Sequence, residues 1–269
     1  MDSELIRLSV DLRKRIIETS SKAKIPHLGS CLSCIDLLIY LYWKELRINP
    51  NDPNNPNRDR FILSKGHGAP ALFQVLGEKN FFPIKNLKDF GKSGSFFHEH
   101  PPKPGLIPGV EAATGSLGHG LSLALGMAYA SFLRKINYRT FALLSDGECN
   151  EGAIWEAALL APKMKINDLT VIIDFNKWQA TGKSEDITKL QPLSEKWKCF
   201  GWDVHEINGH DFLAMKVAFD LSKQCKNKPS VIIANTIKGK GISFMEDDNN
   251  WHYRIPNQEE LKSALMELN

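Results

Sequence analysis

Residues 139–178, RTFALLSDGECNEGAIWEAALLAPKMKINDLTVIIDFNKW, constrain the fold more than any other stretch. An apolar run, Thr140 to Leu144, stops abruptly at Ser145-Asp146-Gly147-Glu148. Ile154, Trp155, Ala158, Leu159 and Met164 then fall on one side of a helical pattern, and a β-branched run from Leu169 to Asp174 ends at Asn176. The change of period predicts strand, helix, strand. A right-handed crossover makes such strands parallel. Asp146 and Asn176 therefore leave one edge of the sheet, the edge at which open α/β sheets bind ligands.

The donors at that edge suit a hard cation. One Asp, one Asn amide and a nearby carbonyl are too few for Mg²⁺ or Ca²⁺ alone, but phosphate oxygens complete such a set. Gly147 lets the backbone approach a phosphate, and the N-terminus of the following helix favours an anion. Taken singly, Asp-Gly is equally a turn and Asn176 equally a loop residue.

The rest of the chain extends the same architecture. Leu5, Leu8, Leu12, Ile16 and Ile17 form a helical stripe, and a second helix is predicted from Ser33 to Trp43 after a polar loop at His27-Leu28-Gly29-Ser30. Arg60 to Ser64, Trp202 to Ile207 and Ser230 to Thr236 read as further strands, with helical patterns at 191–199 and 211–225, the latter capped by Asp211. Five short strands alternating with helices predict an α/β fold, a doubly wound parallel sheet with helices on both faces, in a single domain over 1–269. At 269 residues the chain can bury one large core without disulfides. A net charge of +3, interspersed along the chain, gives no basis for a nucleic-acid or membrane partner, and the cytoplasm is the default location. Five cysteines include a Cys31-x-x-Cys34 pair, but no second pair stands at zinc-like spacing; two small residues near the start of a buried helix account for it.

Several loops carry histidines. His27 follows Pro26, and His67 is flanked by glycines in Lys65-Gly66-His67-Gly68. The irregular segment 91–109 contains His98-Glu99-His100, three residues too close in sequence to turn toward one metal ion from regular backbone. Gly115, Gly118 and Gly120 open a long helix rich in small residues, which permits close approach to a phosphate or a partner helix. Lys238-Gly-Lys240-Gly reads either as a mobile phosphate loop or as a solvated basic turn.

DGECNEGAIWEAALLA followed by LTVIIDFNKWQATG resembles the thiamin-diphosphate motif of transketolases, and more narrowly the separate N-terminal subunit of split transketolases. IPHLGSCLS, SKGHG, HPP followed by GVE, TGSLGHG and the WH pair near the C-terminus match further family segments in order, from about residue 5 to 261. The resemblance implies a thiamin diphosphate-binding fold in which Asp146, Asn176 and the carbonyl of Trp178 hold Mg²⁺ (or Ca²⁺ or Mn²⁺). It implies that Gly115, Ser116, Leu117, Gly147, Glu148, Asn176, His67 and His252 contact the cofactor, and that His27, His67, His100 and His252 are catalytic. The activity implied is transfer of a two-carbon ketol unit from a ketose phosphate to an aldose phosphate.

The chain departs from the family pattern at four places. Ser145 replaces the first Gly of GDG, Ile25-Pro26 replaces Ser-Gly before His27, His119 replaces Gln, and Tyr253 replaces Gly after His252. In the family, the glutamate that activates the cofactor lies in a separate pyrimidine-binding domain. The expected partner is therefore a C-terminal transketolase subunit carrying that domain, in an α2β2 assembly. Two alternatives are the thiamin-binding α subunit of a 2-oxo acid dehydrogenase and a non-catalytic or specialised transketolase-like paralogue. LSDGECNEGAIWEAA and SKGHG favour transketolase over the first; Ile25-Pro26 and Tyr253 motivate the second.

Overall fold

The computed structural model describes residues 2–269. Five parallel strands, β1 (Arg60–Leu63), β2 (Thr140–Ser145), β3 (Leu169–Phe175), β4 (Asp203–Asn208) and β5 (Ser230–Asn235), form one sheet in the order β1-β2-β3-β5-β4. Sheets covered on both faces need strands that are apolar throughout, and the residues of β2 are all buried. Alternate residues then feed two separate cores. Phe61, Leu63, Phe141, Leu143, Ile172 and Ile232 pack under α1 (Asp2–Ala23), α2 (Leu28–Tyr40), α3 (Ala69–Glu78) and α8 (Phe212–Gln224). Ile62, Ala142, Leu144, Val171, Ile173 and Val231 pack under α4 (His119–Arg134), α5 (Gly152–Lys163) and α7 (Leu193–Cys199). A single helical turn, α6 (Ser184–Ile187), follows β3. The predicted doubly wound sheet is the observed one.

Several boundaries differ from the sequence reading, each for a tertiary reason. Helix α2 begins at Leu28, directly after His27, so Gly29 and Ser30 are helical rather than loop. Every residue of α2 is buried, and that burial outweighs the poor helix propensity of its first turn. Gly29 also permits close packing: a Cβ there would lie 2.9 Å from Cγ of Lys238. After Tyr40 the backbone widens into a π turn, Leu41–Glu45, in place of a regular helix running to Trp43. Trp202 precedes β4 instead of joining it; its indole N–H donates to the Ala158 carbonyl at 2.8 Å, and its ring packs on Trp197. The C-terminal helix α9 (Gln258–Glu267) is missing from the sequence reading, although Asn257 and Glu260 form a capping box there. Cys31 and Cys34 are buried in the first turns of α2, and burial pushes the Cys31 thiol up to about 12, so neither is poised as a thiolate.

One buried polar strut joins α1 and α2 to the loop after β5. Arg13 donates to both Asp36 carboxylate oxygens, at 2.9 and 2.7 Å, and to the Lys240 carbonyl at 2.9 Å. Nδ1 of His210 lies 2.7 Å from Asp36, and its Nε2 accepts from the Ile237 N–H at 2.9 Å, which places the ring proton on Nδ1. Burial works against the Asp36 carboxylate, but the Arg13 guanidinium prevails and holds it below the usual range. Removing one member of a buried pair strands the other. Asp36→Ala should therefore cost about 3–5 kcal/mol in urea unfolding, whereas Lys216→Ala, at the exposed Lys216–Asp220 pair, should leave the urea midpoint almost unchanged. Equal effects would contradict this account of the strut.

Candidate active site

The carboxyl ends of the strands carry a buried polar network. In register, Ser145 of β2 lies beside Asp174 of β3, so Asp146 and Asn176 emerge from neighbouring strands. Lys65, just past β1, donates to Asp174 Oδ2 at 2.5 Å and to the Ser30 carbonyl at 3.1 Å, and is fully buried. Ser33 of α2 donates to the same oxygen at 2.6 Å, and Thr236, just past β5, donates to Asp174 Oδ1. Asn176 Nδ2 lies 3.4 Å from both Asp174 Oδ2 and Ser33 Oγ, which turns the amide so that its Oδ1 accepts from the Trp178 N–H at 3.0 Å. Lys177 between them adopts φ 70°, the turn that folds Trp178 back toward Asn176.

Asp146 is the telling residue. It is fully buried; Oδ2 accepts from Ser184 at 2.7 Å, yet Oδ1 has no partner. Burial raises its carboxyl to about 7. A buried carboxylate oxygen without a partner is costly unless a cation or a proton meets it. Beside it, the Asn176 amide oxygen and the backbone around Trp178 supply the neutral oxygens a hard cation takes. The donor set fits a divalent metal that still needs further oxygens.

Four histidines gather next to this edge. The His27 ring centroid lies 5.3 Å from His67, 5.0 Å from His252 and 6.2 Å from His100, and His67 lies 5.7 Å from His252. His27 is held in the left-handed region, φ 71°, and its N–H donates to the His252 carbonyl at 2.8 Å, so two loops distant in sequence are fixed together. Its Nδ1 is buried without a partner. Lys238 contributes a further cation, and it is buried rather than part of a solvated turn, because Gly239, at φ +78°, lets the loop close tightly on Met245. Its ammonium lies 2.7 Å from Asn249 Oδ1 and 3.1 Å from His252 Nδ1, and among the described residues no carboxylate pairs with it. Burial, with Lys65 nearby, lowers Lys238 to about 8. A lysine donor leaves His252 Nδ1 as acceptor and its proton on Nε2.

Burial, with like charge second, keeps the imidazoles of His27, His67 and His252 neutral. His27 falls to about 4 through burial and then His100, Lys238 and Lys65; His252 falls to about 3 through burial, Lys238 and His27; His67 is pushed down by burial and Lys65. Glu148 is fully buried, and its oxygens accept from Ser64, the Gly118 N–H at 2.9 Å and the Ser145 N–H at 3.3 Å. That carboxylate joins β1 to the start of α4, next to Gly115, Ser116 and Leu117. Gly115 faces His100, where an added Cβ would lie 3.1 Å from the ring. His98 and His119 are exposed, and among the described residues no group of three His, Cys, Asp or Glu side chains is placed to hold a metal, His98-Glu99-His100 included.

The model for the thiamine diphosphate binding domain of transketolase matches residues 7–268. The chain belongs to the transketolase family. It is 40% identical over 256 residues to an apulose-4-phosphate transketolase subunit of Phocaeicola vulgatus, covering 95% of this chain and 90% of that one. It is 39% identical over 257 residues to a 6-deoxy-6-sulfo-D-fructose transketolase subunit of Clostridium sp. strain MSTE9, covering 96% and 93%. Among solved structures, transketolase from Leishmania mexicana superposes with a TM-score of 0.90 at 26% identity, over 98% of this chain and 41% of that one. The Campylobacter jejuni transketolase gives 0.90 at 27%, over 98% and 43%. The chain thus spans nearly the whole of its subunit relatives and about two-fifths of these solved enzymes.

The neutral histidines make stability pH-dependent. A buried histidine with a lowered folded pKa stabilises fully above its unfolded value, 6.5, and loses that contribution as pH falls toward the folded value. For His27 the loss is on the order of 3 kcal/mol between pH about 6.5 and 4. The buried Asp146 carboxyl, raised to about 7, titrates in the opposite sense over the same range, so the test is a difference. From pH 7 down to about 4.5 the urea midpoint of His27→Gln should gain steadily on that of the unsubstituted chain; a gap that does not change with pH would contradict a buried neutral His27.

Proposed function

We propose that this chain is the N-terminal subunit of a transketolase that transfers a two-carbon ketol unit from a ketose phosphate, or a related ketose, to an aldose, with thiamin diphosphate and Mg²⁺ as cofactors. The observation that carries the reading is the pairing of opposite needs at one sheet edge. Asp146 has a buried oxygen that lacks a cation, and Lys238 is a buried cation that lacks a carboxylate. A metal diphosphate meets both.

Asp146, Asn176 and the Trp178 carbonyl would hold the metal. Gly147 and the Gly115-Ser116-Leu117 turn would approach the diphosphate, with His67, His252 and Lys238 beside it. Glu148 would support that contact from behind, since its carboxylate holds the Gly118 N–H. When bound, thiamin diphosphate supplies a carbanion and an electron sink for the bond being made and broken. The chain's own part is to position and to move protons. Neutral imidazoles can accept as well as donate near neutral pH. His252 has its donor at Nε2, His27 has a partnerless acceptor or donor at Nδ1, and His100 stands at the more open side.

The relatives named as subunits support a second polypeptide. On this proposal it is a C-terminal subunit with the pyrimidine-binding domain, the assembly is α2β2, and the enzyme works in the cytoplasm. Among the described residues no helix is long and apolar enough to cross a membrane. Leu123, Phe132 and Leu133 of α4, with Leu159 and Leu160 of α5, are exposed apolar residues on adjacent packed helices, a surface that suits subunit contact.

Calorimetry on the chain mixed with its C-terminal partner should show thiamin diphosphate binding that requires Mg²⁺. Asp146→Ala should weaken it on the order of a hundredfold without loss of secondary structure. Binding that ignores both the metal and this substitution would overturn the assignment.

A further inference from the structure

Tyr253 is a large side chain that stands open beside the histidine site. It is 64% exposed, yet its ring lies 4.7 Å from that of His252 and 5.9 Å from that of His27. His27 and His252 are both buried. The Tyr253 ring thus reaches solvent while standing against both buried imidazoles.

The ring is mounted on fixed backbone. His252, its neighbour, accepts the His27 N–H through its carbonyl, and the Arg254 N–H donates to the Asn250 carbonyl at 2.9 Å. Trp251, two residues before Tyr253, is buried and donates to the Phe244 carbonyl at 2.9 Å. Arg254 turns away: its guanidinium lies over the Trp251 ring at 4.7 Å and pairs with Glu260. What this segment presents to the site is thus a neutral ring with a phenol hydroxyl, and not a cation that could grip a substrate phosphate.

We infer that Tyr253 is a specificity-determining residue, the outer wall of the four-histidine site, and that it limits the length of the sugar chain seated against His27 and His252. The inference rests on the proposed ketol transfer. On this inference a substrate brings its reacting end among rings that lie within about six ångströms of His27, and its remaining carbons extend outward past Tyr253. A rigid aromatic at that place excludes by volume, and pockets discriminate by volume only modestly, by about tenfold to a few hundredfold. The hydroxyl plays no part in such exclusion.

The test compares kcat/KM for a seven-carbon and a five-carbon ketose phosphate donor, with one aldehyde acceptor, in the complex of this chain and its C-terminal partner. Tyr253→Gly should raise the seven-to-five ratio about tenfold, and Tyr253→Phe should leave it within about twofold. A Tyr253→Gly ratio indistinguishable from the unsubstituted complex would overturn the inference, as would a Phe variant that moves the ratio as far as Gly does. Thiamin diphosphate affinity, measured on the same preparations, should be equal in all three. An unsubstituted complex that bound no thiamin diphosphate would sink the ketol-transfer reading itself, a result separate from any change in donor ratio.

Discussion

The buried ion pair between Lys65 and Asp174 is the interaction on which the rest of the site depends. It joins the end of β1 to the end of β3, and through Ser30, Ser33 and Thr236 it also fixes α2 and the segment after β5. Four separate pieces of chain are thereby held at one sheet edge. Such a pair is a poor source of stability, because the desolvation of both groups offsets most of their attraction. Its value here is geometric. With Asp174 surrounded by donors, the neighbouring Asn176 sets its Nδ2 against Asp174 and Ser33 and keeps its Oδ1 on the Trp178 side, one strand away from Asp146.

From that anchor the two faces of the sheet contribute different things. The face under α1, α2, α3 and α8 brings His27 and His67, because α2 begins directly after His27 and α3 follows the short turn Gly66–Gly68 that holds His67. The opposite face brings the start of α4, which Glu148 clamps to the end of β1. The late loop after β5 closes the ring with Lys238 and His252. Lys65 and Lys238 then do two jobs: they set a positive field suited to a diphosphate, and they help burial keep the imidazoles uncharged. A charged imidazole could not accept a proton, so the same cations that favour an anion also keep the histidines useful.

Much of this was legible in the sequence and some was not, for definable reasons. The β–α–β unit around Asp146 and Asn176 follows from local periodicity, and a parallel sheet follows from the alternation of strands and helices. His27, His67 and His100 could be singled out because proline or glycine beside them marks loops, whereas His252, between Trp251 and Tyr253, was reached only through the family resemblance. Lys65, Ser33, Asp174 and Lys238 carry no comparable local mark. Each is defined by partners far along the chain, such as the Lys65–Asp174 contact across 109 positions. Lys238 reads as surface from its glycine-rich setting, and only the packing of Gly29 and Gly239 reveals it as buried. The true start of α2 was hidden likewise, since Gly29-Ser30 is a weak helix start that tertiary burial overrides. The last helix was visible in principle, through the Asn257–Glu260 capping box.

The central claim is that this edge is prepared for a metal diphosphate before either component arrives. Anomalous diffraction from crystals grown with Mn²⁺ and thiamin diphosphate tests it directly. The account predicts one strong manganese peak within coordination distance of the Asp146 carboxylate, the Asn176 amide oxygen and the Trp178 carbonyl. A peak at His98-Glu99-His100, or an ordered diphosphate with no metal beside Asp146, would contradict it.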